Sequence, residues 1–180
     1  DSIIWGFAGG FSGEELCRQL TAAGLRQDLI FLHNGNTRIN VKLSAGQETE
    51  VNAKGPQAEE EALQIFYRRL EALTAEDYVV LSGSLLPGMP CNSYRQIMQQ
   101  LQGRGVHFIV DTTGESLRET LPLHPFLIKP NQRELEELFK TELTQRSQVA
   151  ELAKQLQEMG AENVLVSLGG DGAVCVAADG

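Results

Sequence analysis

The chain has 180 residues, 42% hydrophobic and 22% charged, which excludes a disordered polymer and suits a single globular domain. Fifteen Lys and Arg against 24 Asp and Glu give a formal net charge of −9, which argues against a nucleic-acid binder, since phosphate-backbone recognition needs a cationic face. No apolar run approaches the ~20 residues that cross a bilayer, and no basic segment precedes the apolar N-terminal residues as in a signal peptide.

Residues 2–5 read as a strand that begins with no lead-in, leading into Gly6-Phe7-Ala8-Gly9-Gly10. Thr37-Arg38-Ile39-Asn40-Val41-Lys42-Leu43 alternates strictly, and after the turn signal Ser44-Ala45-Gly46 a second extended run follows at 48–51. The pair predicts a two-faced hairpin at about 37–52, shaped like a lid. Leu63, Phe66, Leu70 and Leu73 recur at helical spacing. Residues 78–81 are a continuous apolar run, as expected of a strand covered on both faces. A helix pattern at Tyr94, Ile97, Met98 and Leu101 precedes Gly103, a second apolar strand covers 107–110, and a further helix pattern runs through Val149, Leu152, Leu156 and Met159 to Gly160. A strand at 163–166 and a glycine-rich turn lead to a last short strand from Ala173. Such alternation predicts an α/β fold with a largely parallel sheet. The chain ends on Ala178-Asp179-Gly180, a turn that normally introduces another strand, so a fold incomplete at both ends is expected. Cys17, Cys91 and Cys175 are far apart and odd in number, and His33, His107 and His124 are equally scattered. Reduced cytoplasmic thiols or small buried hydrophobes fit this better than a disulfide or zinc framework.

Five segments could carry chemistry. Arg38, Asn40 and Lys42 share the polar face of the hairpin, where a guanidinium beside an amide suits a phosphate or a polyol, although taken alone a solvated outer face is the commoner reason for such a pattern. Ser82-Gly83-Ser84-Leu85-Leu86-Pro87-Gly88 follows a buried strand, where small residues admit a ligand or simply make a turn. Asp111 ends the next strand and could orient a ligand or hold a lysine, and Thr112 with Glu115 has capping-box spacing. In Lys129-Pro130-Asn131-Gln132-Arg133-Glu134, Asn131 and Glu134 have the same spacing. A helix N-terminus beside a lysine is also an anion site, where Glu134 could draw in Mg2+. Ser167-Leu168-Gly169-Gly170-Asp171-Gly172-Ala173 is neither a dinucleotide fingerprint nor a P-loop, and Asp-Gly predicts a hairpin turn.

In their order along the chain these segments closely resemble the PfkB/ribokinase family of sugar kinases, in its phosphosugar branch of 1-phosphofructokinases and tagatose-6-phosphate kinases. The resemblance runs from first residue to last and implies a ribokinase-like domain over 1–180, with ATP and Mg2+ as cofactors and phosphoryl transfer to a phosphosugar. It implies that Arg38 grips the phosphate already on the sugar, Asn40 shapes that site and Ser84 lies near the sugar. Lys129 and Asn131 would face the nucleotide phosphates, Glu134 would hold Mg2+ through water, and Ser167, Gly169 and Gly172 would line the nucleotide cleft. It further implies a homodimer formed through the lid. The family's sugar-binding Asp and Gly-Gly-Lys segment, expected before this sequence, and its Gly-Ala-Gly-Asp segment with the general base, expected after Gly180, do not occur in it. The 180 residues alone are therefore expected to be inactive. Fructose 1-phosphate is the expected acceptor, with tagatose 6-phosphate and fructose 6-phosphate as alternatives. A non-catalytic nucleotide or sugar-phosphate binding module is the competing reading, and a scaffold comes last.

Overall fold

A run of apolar residues forms a strand only where neighbouring strands satisfy its N–H and C=O groups, and this chain provides such neighbours in separate sheets. The computed structural model describes residues 2–45 and 47–179, and for residues 44–50 the backbone alone. Gly46, the glycine of the expected hairpin turn, and Gly180, the end of the last expected turn, lie outside the described residues. The chain divides into two compact units, Asp1–Arg69 with Leu86–Met89 and Leu70–Leu85 with Pro90–Gly180.

In the first unit, β1 (Ile3–Gly9) and β2 (Arg26–Leu32) pair in parallel, joined by helix α1 (Gly10–Ala22), which packs on both. The sequence reading anticipated neither α1 nor β2. Helix α2 (Glu60–Leu70) completes the core: Ile30, Leu32 and Ala62 are buried, with Phe7, Ile65, Phe66 and Leu86 packed against them. The Phe7 and Phe66 rings lie 5.3 Å apart. Arg69 anchors α2 to β2 through the Asp28 carboxylate at 3.0 Å and its carbonyl at 2.8 Å. Leu73, expected on this helix, lies beyond its end.

The expected hairpin is present as β3 (Asn40–Ala45) and β4 (Gln47–Asn52), antiparallel with Val41 opposite Val51 and Leu43 opposite Thr49. Arg38 and Ile39 stand just before β3 rather than in it. Ile39, Val41, Leu43 and Val51 are all about half exposed, so the apolar side of the hairpin is uncovered in the single chain.

The second unit holds a sheet of five strands in sequential order: β5 (Tyr78–Ser82), β6 (His107–Asp111), β7 (Leu127–Ile128), β8 (Asn163–Ser167) and β9 (Ala173–Val176). The first four are parallel and β9 is antiparallel. Parallel neighbours need crossovers, supplied by α3 (Ser93–Gln100), α4 (Gly114–Thr120), α5 (Gln132–Phe139) and α6 (Arg146–Glu158). Helix α4 packs on β6, α5 on β8, and α6 on β8 and β9. Val110, Ile128, Val164 and Val166 are fully buried in the strands, under Leu117, Leu135 and Leu156 from the helices. The sequence predicts both faces of 78–81 covered, but Tyr78 and Val80 are 59% and 60% exposed. β5 is an edge strand of this sheet, so its side chains lack a neighbour on one side. The apolar positions expected of α3 are all buried: Tyr94, Ile97, Met98 and Leu101. Gly160 ends α6 as expected, and an added Cβ there would fall 2.1 Å from the Leu121 carbonyl oxygen.

Candidate functional site

Because β5 to β8 run in one direction, the loops after them emerge along one edge of the sheet. Ser82 lies opposite Asp111, Val110 opposite Ile128, and Ile128 opposite Val164. That edge therefore gathers Ser84, Asp111, the 129–134 segment and the 167–172 turn, which is where open α/β sheets bind ligands.

Asp111 holds a lysine: Lys129 Nζ lies 3.3 Å from its Oδ1, and both side chains are partly exposed. Thr112 and Glu115 do not form the capping box their spacing suggested. The chain stays extended through Thr113, which is the N-cap with no side-chain bond. Glu115 is consequently the second helical residue, one position short of the reciprocal bond. The box at Asn131 and Glu134 does form: Glu134 N donates to Asn131 Oδ1 and Asn131 N donates to Glu134 Oε2, both at 2.9 Å. A carboxylate has two oxygens, and this box uses Oε2, so capping and attraction of a hydrated cation are compatible roles.

Two strand-end loops are stitched together. Ser167 N donates to Pro130 O at 3.0 Å, and Asn131 bridges Ser167 in parallel fashion. Beyond Ser167 the chain turns through Gly169–Asp171 into β9, closed by Leu168 N to Gly172 O at 2.8 Å, so the Asp-Gly reversal occurs where expected. Gly169 and Gly172 have φ of +60° and +90°, and apart from the adjoining residues of the chain no described atom lies within 4 Å of where a Cβ would sit on Gly169, Gly170 or Gly172. This is bare backbone open to the approach of a phosphate. Behind the turn, Arg146 at the start of α6 donates to the Asp171 carbonyl and lines a polar hollow of about 350 Å³ with Gln132, Thr144 and Leu168.

Ser84 is exposed, just after the bend at Gly83. The bend is held by Tyr94, which in the sequence stands only as one position of a helical pattern. Its hydroxyl lies 2.8 Å from Ser82 O and 3.1 Å from Gly83 O, and Gly83 has φ of +89°. Burial, with the Asp111 charge adding to it, pushes the Tyr94 phenol above its ordinary value, so the group stays a donor. The available signal was a tyrosine on an otherwise apolar stripe, because a buried hydroxyl needs a partner.

In the first unit, Arg38 Nε donates to Asn40 Oδ1 at 2.9 Å, so these two candidates do meet. Their placement begins one residue earlier. Thr37 N donates to Gly9 O at 2.8 Å, Gly9 N donates to Thr37 Oγ1 at 2.9 Å, and Ser12 Oγ donates to Thr37 O at 2.7 Å. The root of the hairpin is thereby fixed to the end of β1 and the start of α1. A Cβ on Gly9 would come 2.6 Å from the Gly35 carbonyl oxygen, which explains the glycine there.

A family model described as pfkB family carbohydrate kinase matches residues 2–180. The chain belongs to that family. It is 38% identical over 169 residues to a 1-phosphofructokinase of Bacillus subtilis, covering 94% of this chain and 55% of that protein. Among solved structures, phosphofructokinase-2 of Escherichia coli in complex with fructose-6-phosphate is 29% identical, with a TM-score of 0.86 over 99% of this chain and 60% of the other. Ribokinase of Giardia lamblia, at 17% identity, shares the fold with a TM-score of 0.77 over 97% of this chain and 55% of that one. The fold of this pfkB-family chain is therefore ribokinase-like α/β, as the sequence resemblance implied, and the chain spans a little over half the length of the curated relatives it matches.

Proposed function

We infer that the full-length protein transfers the γ-phosphoryl group of MgATP to a hydroxyl of a phosphosugar, and that the acceptor is fructose 1-phosphate, giving fructose 1,6-bisphosphate. The observation that carries this reading is the row of polar loops along one sheet edge, from Ser84 to the 167–172 turn, in a chain 38% identical to a 1-phosphofructokinase. One family model spans both units, which supports treating residues 1–180 as part of one kinase domain.

The nucleotide side fits its ligand. Lys129 offers a cation at the end of β7, and the bare backbone of Gly169 and Gly172 beside Ser167 admits a phosphate chain. Asn131 orders the first turn of α5 so that the helix's positive end faces the same edge. When bound, MgATP supplies the phosphoryl group, and its metal neutralises part of the developing charge. Lys129 stabilises negative charge on the phosphates, and Glu134 orients the waters of the Mg2+ ion through its carboxylate. On the acceptor side, Arg38, aligned by Asn40, grips the phosphate already on the sugar as a charge-assisted pair, and Ser84 offers its hydroxyl to the sugar. The exposed apolar face of the hairpin, Ile39, Val41, Leu43 and Val51, supports burial against the same face of a second copy, making a homodimer through the lid. Val41→Asp is expected to shift the full-length protein to monomer in size-exclusion chromatography, and an unchanged dimer would move the interface elsewhere.

The test of the reaction is ADP formation by the full-length protein with MgATP and each of fructose 1-phosphate, fructose 6-phosphate and tagatose 6-phosphate. Turnover highest with fructose 1-phosphate is the expected result. ATP binding without turnover of any sugar phosphate would favour the non-catalytic binding module instead.

A further inference from the structure

We propose that Tyr94 is a positioning residue for the acceptor side: its hydroxyl holds the Ser82–Gly83 peptides in the turn that presents Ser84. Three observations converge. The hydroxyl reaches both carbonyl oxygens of the turn, Ser82 at 2.8 Å and Gly83 at 3.1 Å, from a helix that packs elsewhere in the same unit. The hinge of the turn is Gly83, at φ of +89°, a conformation that side-chain-bearing residues rarely adopt, and the Tyr94 hydroxyl reaches the carbonyls on both sides of it. Tyr94 itself is fixed, being only 8% exposed between Ser93 and Ile97, also buried. Asp111 lies close enough to raise the phenol's proton affinity while it grips Lys129. The end of β5 is thus held from α3, and the end of β7 is held from β6, with Asp111 next to both contacts. Neither Tyr94 nor the carbonyls it binds touches the sugar in this scheme; the tyrosine acts through the backbone of Ser84.

This proposal rests on Ser84 facing the acceptor, so its test has one arm that needs no turnover. Tyr94→Phe keeps the ring and its packing and removes only the hydroxyl. In the full-length protein it is expected to raise KM for fructose 1-phosphate about three- to tenfold, the loss typical of one hydrogen bond, with KM for ATP unchanged. Amide hydrogen exchange over residues 82–85 is expected to quicken in the same variant. Wild-type values in both measurements would overturn the proposal. An equal rise in both KM values would also overturn it, since the effect would then be a general one on the fold. If the wild-type protein accepts no phosphosugar, the proposed function fails while the exchange arm still decides Tyr94: faster exchange supports the clamp and unchanged exchange overturns it.

Discussion

Lys129 Nζ lies 3.3 Å from Asp111 Oδ1, so the cation that follows β7 is aimed by the last residue of the neighbouring strand. Both groups are partly exposed, and such a pair contributes on the order of 0–1 kcal/mol to stability. Its consequence is geometric: it keeps a long, flexible side chain at the sheet edge.

Lys129→Met should therefore leave the melting temperature nearly unchanged. It should raise KM for ATP about tenfold or more, the loss expected of a charged hydrogen bond, while KM for the phosphosugar stays within about twofold. Steady-state kinetics with each substrate varied in turn measures this. An equal rise in both KM values would remove Lys129 from the nucleotide side.

Glu134 has two proposed roles that one pair of variants separates. Glu134→Gln keeps an oxygen able to accept from Asn131 N, so the cap survives while the charge is lost. The concentration of Mg2+ needed for half-maximal rate should rise several-fold with little change in melting temperature. Asn131→Ala loses the bond to Glu134 N and should cost about 1 kcal/mol, roughly 2–4 °C for a chain of this size. Mg2+ dependence that is unchanged in Glu134→Gln would reduce Glu134 to a capping residue.

How far the sequence could be read followed from where periodicity was strong. The hairpin alternates without a break from Arg38 to Leu43, and the middles of β6 (Phe108-Ile109-Val110) and β8 (Val164-Leu165-Val166) are uninterrupted apolar runs, so all three were visible. In β2, the stretch Arg26-Gln27-Asp28 puts three polar residues before the apolar half, and β7 has only two residues, too short for any period. Helix α1 exposes Phe11 and Leu16, so its stripe is weak. In the site, the Asn131 and Glu134 pairing could be read from spacing because a capping box is local. The Asp111 to Lys129 pair could be named only as one option, and the Tyr94 clamp not at all, because both depend on which strands become neighbours.

Gly160 is a sharp test of the packing beneath α6. It takes φ of +132°, and a Cβ would meet the Leu121 carbonyl oxygen at 2.1 Å and its carbon at 2.9 Å, backbone atoms that cannot swing aside. Gly160→Ala should destabilise by more than about 2 kcal/mol in chemical denaturation. Gly160 precedes β8 at the end of the sheet away from the polar loops, so the rate per folded molecule should be retained. A variant as stable as wild type would contradict the close approach.

Two of the three tyrosines, Tyr67 and Tyr94, hold their protons above the ordinary phenol value of 10.0, each chiefly through burial, with Glu60 and Asp111 respectively adding negative charge. The unfolded chain releases those protons near pH 10, before the folded chain does. Their contribution is complete below that pH and is lost as pH rises through the folded values. Denaturant midpoints should fall as pH rises past about 10, the ordinary phenol value, and tyrosinate absorbance should show late ionisation steps. Tyr94→Phe should delete one of them. A titration in which every tyrosine ionises together near pH 10 would contradict the burial.

The bond from Ser167 N to Pro130 O joins two loops 37 positions apart in the chain and closes before any ligand arrives. Ordering a loop on binding subtracts from affinity, whereas a loop ordered by folding carries no such penalty at the moment of encounter. Freedom beyond the stitch is confined to the few residues between Leu168 and Gly172, themselves tied end to end. A ligand settling there meets a preorganised surface. Substitutions that loosen the stitch should therefore appear first as slower capture and faster escape of the ligand, well before they appear as a loss of fold.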